Sequence, residues 1–153
     1  MRFPDRTLTS MELISRLNHL KEFIGVFSRD RVPSVLSPDH PTSFIVNLDD
    51  HQGPGTHWVA VYHNPHDPYV EYFDSFGLPP PLEIQRYKRL KPILYNDGML
   101  QDLHSSACGY YCIYFLQLRS QGVPYAQILK HFREGAGAYN ERVITHAEGL
   151  IRR

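Results

Sequence analysis

Four side chains in this 153-residue chain have the chemistry that nucleophilic acyl transfer needs. Cys108 is the candidate nucleophile, and because a thiol attacks well only as a thiolate, it needs a base or a positive field nearby. His57 is the best placed of nine histidines to act as that base, with Asp74 as the acid that orients its imidazole. Gln101, seven residues before the cysteine, and the Cys108 backbone N–H are candidate hydrogen-bond donors to an oxyanion.

The stretch HSSACGYYC, residues 104–112, places Cys108 where a helix is expected to begin. The serines and alanine before it supply capping groups with little bulk, and unpaired N–H groups at a helix N-terminus create a positive field. Gly109 would allow a substrate backbone to come close. No polar residue follows the cysteine before Gln117, which is typical of a central buried helix. We therefore expect a reachable sulfur at the mouth of this helix.

The histidine and the acid belong to two neighbouring strand patterns, HWVAVYH at 57–63 and YVEYFDSFG at 69–77. Valines and aromatic residues favour strands, and NPHDP between the two stretches is typical of a hairpin connection. If these strands pair, His57 and Asp74 meet at one edge of the sheet. Trp58 is expected to pack in the sheet, with contact to the imidazole as the alternative.

Local patterns predict the remaining elements of a single domain, residues 1–153. Thr9 and Glu12 have the spacing of a capping box, and apolar residues from Leu13 to Ile24 repeat with helical spacing before Gly25. The other expected elements are a loop over 26–43, a buried strand at 44–48, a loop at 49–56, a short helix within 78–92, a hairpin or turn at 93–101, a helix at 124–132 and a short helix at 140–147 followed by a basic tail.

Composition limits the classes of function. Lysines plus arginines equal acids at 16 each, so net charge indicates no particular partner. Cys108 and Cys112 are four residues apart on a predicted helix, a spacing too constrained for a normal disulfide, which predicts free thiols in a reducing compartment. No signal peptide or apolar span is evident, so we expect an intracellular protein that does not enter a membrane.

Taken in order, GTHWVAVY, YFDSFG and LQDLHSSACGYYC resemble the adenovirus-type cysteine proteases, the adenain family. The versions carried by Polinton or Maverick elements and adenovirus-like viruses are the most similar, over about residues 22–120. This resemblance implies an α+β fold with a papain-like core of the adenain and ubiquitin-like-protease type: a mixed central sheet flanked by helices, with the nucleophile at a helix N-terminus. It assigns His57 as general base, Asp74 as orienting acid, Cys108 as nucleophile, and Gln101 with the Cys108 N–H as oxyanion hole.

The same resemblance implies substrates and partners. Its members cleave capsid and core precursors at Gly-Gly-type sites during virion maturation, which implies action in the host nucleus or the virion. Asp74 departs from the glutamate that adenovirus enzymes commonly use and matches the SUMO-type proteases. Adenovirus enzymes also use a disulfide-linked peptide activator, whereas Cys112 lies on a predicted buried helix. We therefore expect no required cofactor, and any DNA or peptide activator to bind without a disulfide; RYKRLK at 86–91 is a solvated face or, alternatively, a DNA contact.

Several alternatives stay open from the residues. The same chemistry would serve a SUMO- or ubiquitin-like-protein isopeptidase, and a catalytically silent binding module could keep the fold. Taken alone, Cys108 is more often an inert buried thiol than a nucleophile. Zinc is disfavoured because the chain has no C-x-x-C pair, and Ser75 lacks the pattern of a nucleophile elbow.

Overall fold

The computed structural model describes residues 6–49, 57–102 and 104–151, and within these ranges it contains one five-stranded sheet. Its strands are β1 Phe23–Ser28, β2 Thr42–Asn47, β3 Trp58–His63, β4 Val70–Phe73 and β5 Ile93–Tyr95. They lie side by side in chain order; the two outer pairs are parallel and the two inner pairs are antiparallel. The described helices are α1 Ser10–Leu17, α2 Leu82–Gln85, α3 Cys108–Ser120, α4 Tyr125–Leu129 and α5 Gly137–Ile151. This mixed sheet with helices confirms the α+β prediction.

Strand β3 is buried along its whole length because both faces of the sheet are covered. Side chains alternate between the two faces of a strand, so Ala60 and Tyr62 pack with α3 while Val59 and Val61 face the opposite layer. That second layer includes Ile84 from α2 and is smaller than the first. The predicted pairing of the two strand patterns is confirmed, with Ala60 opposite Phe73 in an antiparallel hairpin.

Helix α3 lies on β3 and confirms the central buried helix expected from Cys108 onward. Phe115 stacks on Phe73 of the sheet, with ring centroids 4.7 Å apart and planes within 3°. At the far end of the helix, the Arg119 guanidinium lies 4.3 Å from the centroid of the Tyr62 ring. The helix then ends before Gly122, whose φ of 88° suits a residue without a side chain.

The N-terminal helix was predicted too long. Thr9 and Glu12 form the expected capping box, but α1 ends at Leu17. Ile24 lies in β1, which pairs in parallel with β2. The helical spacing of apolar residues extends by chance into β1. That segment is a strand because it pairs with β2.

Other expected elements also need correction. The segment 93–101 forms no hairpin: Ile93–Tyr95 is the edge strand β5, parallel to β4. The last helix is longer than predicted and runs over Gly137–Ile151. The expected short helix after the prolines is present as Leu82–Gln85, followed by a 3-10 turn at Arg86–Arg89. All but the first residue of the predicted loop at 49–56 lies outside the described residues.

Candidate active site

His57 and Asp74 meet as predicted at the edge of the β3–β4 hairpin. His57 immediately precedes β3 and Asp74 immediately follows β4. The imidazole Nε2 lies 2.6 Å from Asp74 Oδ1, and the carboxyl is fully buried. A buried carboxylate at this distance fixes both the ring orientation and the tautomer, because Nε2 must carry the proton that it donates.

The strand register also places an aromatic ring on the imidazole. Because Ala60 pairs with Phe73, counting outward along the antiparallel pair brings His57 opposite Phe76. The two rings stack with centroids 4.3 Å apart and an angle of 21° between their planes. Trp58 does not take this role; its indole N–H donates to the Leu8 carbonyl, 2.8 Å away. Phe76 was missed from the sequence, although the predicted hairpin, once registered, would have indicated it.

Backbone contacts hold the acid in place. Asp74 Oδ1 accepts a second hydrogen bond from the Phe76 N–H, at 2.8 Å. Asn96, which follows β5, accepts from the Asp74 N–H at 3.0 Å and donates to the Asp74 carbonyl at 2.6 Å. Two hydrogen bonds from one side chain fix the backbone of the acid, so its carboxylate direction is set by the sheet and by β5. Asn96 is a second contributor that the sequence did not reveal.

Cys108 begins α3 and interacts with the imidazole electrostatically. Burial alone lowers the pKa of His57, but the hydrogen bond to Asp74 and the interaction with Cys108 outweigh it and raise that pKa to about 9. Among the described residues, Nδ1 has no hydrogen-bond partner of normal geometry. The ring nitrogen opposite the acid is thus the one left for the thiol, and such contacts often shorten only when substrate is bound.

The sulfur is less open than the sequence predicted, since Cys108 is only 2% exposed. Gly109 has a different role from the expected one. A Cβ on Gly109 would lie 3.0 Å from Leu8 Cδ1 and 3.3 Å from Leu13 Cδ2, so the glycine makes room for core packing and not for a substrate backbone. The described residues before the helix also provide no side-chain cap at Ala107.

Gln101 lies beneath the turn that follows Asp74 and is buried. The Leu100 and Gln101 N–H groups donate to the Ser75 carbonyl at 2.8 and 3.0 Å. The Gln101 amide oxygen accepts from the Ser75 hydroxyl at 2.5 Å, and its Nε2 donates to the Ser105 carbonyl at 2.7 Å. The glutamine is therefore tied both to the turn that carries Asp74 and to the segment that leads into Cys108.

The remaining candidates have structural surroundings. Cys112 is buried in the core, and this burial raises its pKa well above the ordinary value. Ser75 is buried, and its hydroxyl donates to the Gln101 amide oxygen. In the basic segment 86–91, Lys91 donates to three carbonyl oxygens, while Tyr87 is buried. Among the described residues, no group of three histidine, cysteine, aspartate or glutamate side chains could hold a metal ion. The same residues include no helix with the length and apolar character that a membrane span requires.

The chain is similar to viral proteases both in sequence and in structure. The family model of the adenovirus endoprotease matches residues 23–92, which include His57 and Asp74. Over this stretch the chain is similar to the adenovirus endoproteases. It is 29% identical over 112 residues to the protease of bovine adenovirus C serotype 10 and 28% identical over 127 residues to that of porcine adenovirus A serotype 3. These alignments confirm the resemblance predicted from the motifs.

Coverage differs between the chain and these adenovirus relatives. The alignments cover 61% and 72% of this chain but 56% and 62% of the bovine and porcine proteins. Among solved structures, the ASFV pS273R protease is similar with a TM-score of 0.63 and 17% identity, over 92% of this chain and 67% of that one. This likeness supports the predicted fold, and the chain spans less than two thirds of the length of both adenovirus proteases.

Proposed function

We propose that this chain is a cysteine endopeptidase in which Cys108, His57 and Asp74 form the catalytic triad. One observation carries the proposal: although burial lowers the pKa of His57, the carboxylate 2.6 Å from its ring and the thiol at the start of α3 together raise that pKa to about 9. At neutral pH such an imidazole is an imidazolium, and a positive ring beside a sulfur stabilises a thiolate. The adenovirus-endoprotease relatives support the same chemistry.

The reaction begins when the Cys108 thiolate attacks the scissile carbonyl carbon. The C=O π electrons move to the oxygen, and the oxyanion accepts hydrogen bonds from Gln101 Nε2–H and the Cys108 backbone N–H. The His57 imidazolium then protonates the leaving amine as the C–N bond breaks, which leaves a thioester on Cys108 and a neutral imidazole. That imidazole removes a proton from water, the resulting hydroxide attacks the thioester, and the product acid leaves with the thiolate restored.

The substrates proposed are capsid or core precursor proteins with Gly-Gly-type sites, in the host nucleus or the virion. Cys108 is only 2% exposed, so a narrow cleft would exclude bulky side chains. Glycine has no side chain and would fit such a cleft. Ubiquitin-like modifiers also end in Gly-Gly, so a SUMO- or ubiquitin-like isopeptidase is the competing proposal. Cleavage of a Gly-Gly capsid-precursor peptide compared with a ubiquitin-like fusion, at equal concentrations, separates the two: faster cleavage of the fusion would contradict the viral-precursor proposal.

The two cysteines allow a matched test of the chemistry. Cys108→Ala should abolish peptide cleavage, whereas Cys112→Ala removes an equally buried thiol one helical turn away and should keep activity. Iodoacetamide at about pH 7 should label Cys108 in the unmodified chain and spare Cys112, read by peptide mass spectrometry. Turnover by Cys108→Ala would overturn the assignment, and a folded chain without turnover or Cys108 labelling would favour a silent binding module.

An activator, if this chain uses one, is proposed to bind without a disulfide. Cys112 is the only thiol beyond the nucleophile and lies buried in the core, where a thiol partner cannot reach it without unfolding the helix. Stimulation by added DNA or peptide should therefore be the same in Cys112→Ala as in the unmodified chain. Loss of stimulation in that variant alone would contradict this proposal. Exposed basic residues at 86–89 are the surface at which DNA stimulation would be tested.

A further inference from the structure

The side-chain amide of Gln101 is held from both ends by groups outside the triad. Its Oε1 lies 2.5 Å from the Ser75 hydroxyl, and its Nε2 lies 2.7 Å from the Ser105 carbonyl oxygen. Ser75 and Gln101 are each 1% exposed, so water does not replace these partners. The arrangement needs an explanation, because a buried glutamine requires a partner at each end of its amide.

The chemistry of the partners fixes which way the amide points. A backbone carbonyl only accepts hydrogen bonds, so the group facing Ser105 must be the NH2 end. The oxygen of Gln101 therefore faces Ser75, and the serine hydroxyl must donate to it. A rotated amide would set two acceptors against each other at the Ser105 end and is disfavoured.

Counting donors shows what this arrangement leaves available. A carboxamide has two N–H donors, and the Ser105 carbonyl takes one of them. Neither Ser75 nor Ser105 takes the second N–H, and this is the donor that an oxyanion on the substrate would use. Ser75 fixes the oxygen end, so it sets the direction of the remaining N–H.

We propose that Ser75 is a positioning residue that orients the Gln101 amide for oxyanion binding. This inference rests on the proposed function. It makes one turn responsible for both halves of the site: Asp74 orients the imidazole, and the next residue orients the oxyanion donor. The Ser75 carbonyl also accepts hydrogen bonds from the Leu100 and Gln101 N–H groups, and a side-chain substitution leaves both in place.

Ser75→Ala tests the proposal, with Ser43→Ala as the matched control. Ser43 is also 1% exposed, and its hydroxyl has no hydrogen-bond partner among the described residues, so the control makes the same chemical change without breaking a bond. Ser75→Ala should lower kcat for a Gly-Gly peptide about tenfold or more with little change in KM, because the oxyanion exists only after attack. Ser43→Ala should match the unmodified chain.

A double-mutant cycle separates positioning from general damage. Gln101→Ala should lower kcat by roughly a hundredfold or more. If Ser75 acts through the glutamine, adding Ser75→Ala to Gln101→Ala should cause no further loss. An equal loss from Ser75→Ala with and without Gln101, or a kcat like that of Ser43→Ala, would overturn the proposal.

A spectroscopic readout does not depend on turnover. In a ¹⁵N-labelled chain, the two Gln101 side-chain N–H signals should stay distinct and protected from exchange in the unmodified chain and in Ser43→Ala, and should lose protection in Ser75→Ala. Unchanged protection in Ser75→Ala would refute a positioning role for Ser75. If the proposed function is wrong, the unmodified chain will not cleave the peptide. The NMR measurement would still show whether Ser75 holds the Gln101 amide, because it does not require turnover.

Discussion

Replacing Asp74 by asparagine removes one buried negative charge while keeping nearly the same shape. The amide oxygen of the substituted side chain can still accept from the Phe76 N–H, so the turn should persist. What disappears is the charge opposite the imidazole and with it the charge-assisted hydrogen bond to Asp74, the largest of the influences that raise the pKa of His57. We expect the pKa of His57 to fall well below 9 in Asp74→Asn.

The structure gives a magnitude for this effect. The change in the pKa of His57 from 6.5 to about 9 corresponds to about 3 kcal/mol of preferential stabilisation of the imidazolium in the folded state. A group whose pKa is raised by folding stabilises the fold fully below its unfolded value, and that contribution is lost as pH rises through the folded value. The unmodified chain should thus have a higher free energy of unfolding than Asp74→Asn at pH 6. This difference between the two proteins should be smaller at pH 10, by about 1–3 kcal/mol.

Urea unfolding at pH 6, 7, 8, 9 and 10 measures this difference, because the other titrating groups are common to both proteins and cancel. Asp39→Asn is the control, since Asp39 is exposed on a loop and the same change there should give a pH-independent difference near zero. The alkaline limb of kcat/KM, near pH 9 in the unmodified chain, should move to lower pH in Asp74→Asn. Parallel stability curves for the two proteins from pH 6 to 10 would refute the reasoning.

Three further substitutions test the supports of the site. Phe76→Ala removes the ring stacked on the imidazole and should lower kcat/KM about two- to tenfold in a peptide-cleavage assay; an unchanged value would contradict a positioning role. Gly77→Ala should lower the free energy of unfolding by about 1–3 kcal/mol more than Gly122→Ala in urea titrations, because both glycines have positive φ but only at Gly77 would a Cβ lie 2.6 Å from a carbonyl oxygen. Arg119→Met leaves a buried carboxylate without its cation and should cost about 3–5 kcal/mol by thermal or urea unfolding, whereas the exposed Arg133→Met should cost under about 1 kcal/mol.

Local sequence patterns predicted the parts of the site that depend on neighbours in the chain. The β3–β4 hairpin follows from two strand patterns and a turn, and it alone brings His57 to Asp74. The start of α3 follows from the apolar run after Cys108. Their combination into one site came from the resemblance to a family, because nothing local relates residue 57 to residue 108.

The missed features depend on contacts between distant segments. Asn96 reaches Asp74 only because β5 pairs in parallel with β4, and parallel pairing leaves no turn signal between the strands. Ile24 was assigned to a helix for the same reason, since its partner strand begins at residue 42. Phe76 differs from these two, because registering the predicted hairpin residue by residue would have revealed it.

Matching lengths of helix and strand explain how the fold brings Cys108 to the imidazole of His57. Helix α3 runs along β3 in the same direction, with Arg119 over Tyr62 at one end and Cys108 interacting with His57 at the other. Eleven residues of helix at 1.5 Å each span about 16 Å, and five residues of strand at 3.3 Å span about the same distance.

The buried ion pair between Arg119 and Glu71, 2.8 Å apart, fixes the position of the helix along its axis at the end far from Cys108. A shift of the helix by one residue would move the sulfur by about 1.5 Å, enough to separate it from the imidazole. The distant Arg119→Met variant should therefore lower the pKa of His57 as well as stability, because the thiol that helps to raise that pKa would no longer be held beside the ring. A His57 titration followed by NMR, unchanged in this variant, would show that packing of α3 on the sheet alone sets the register.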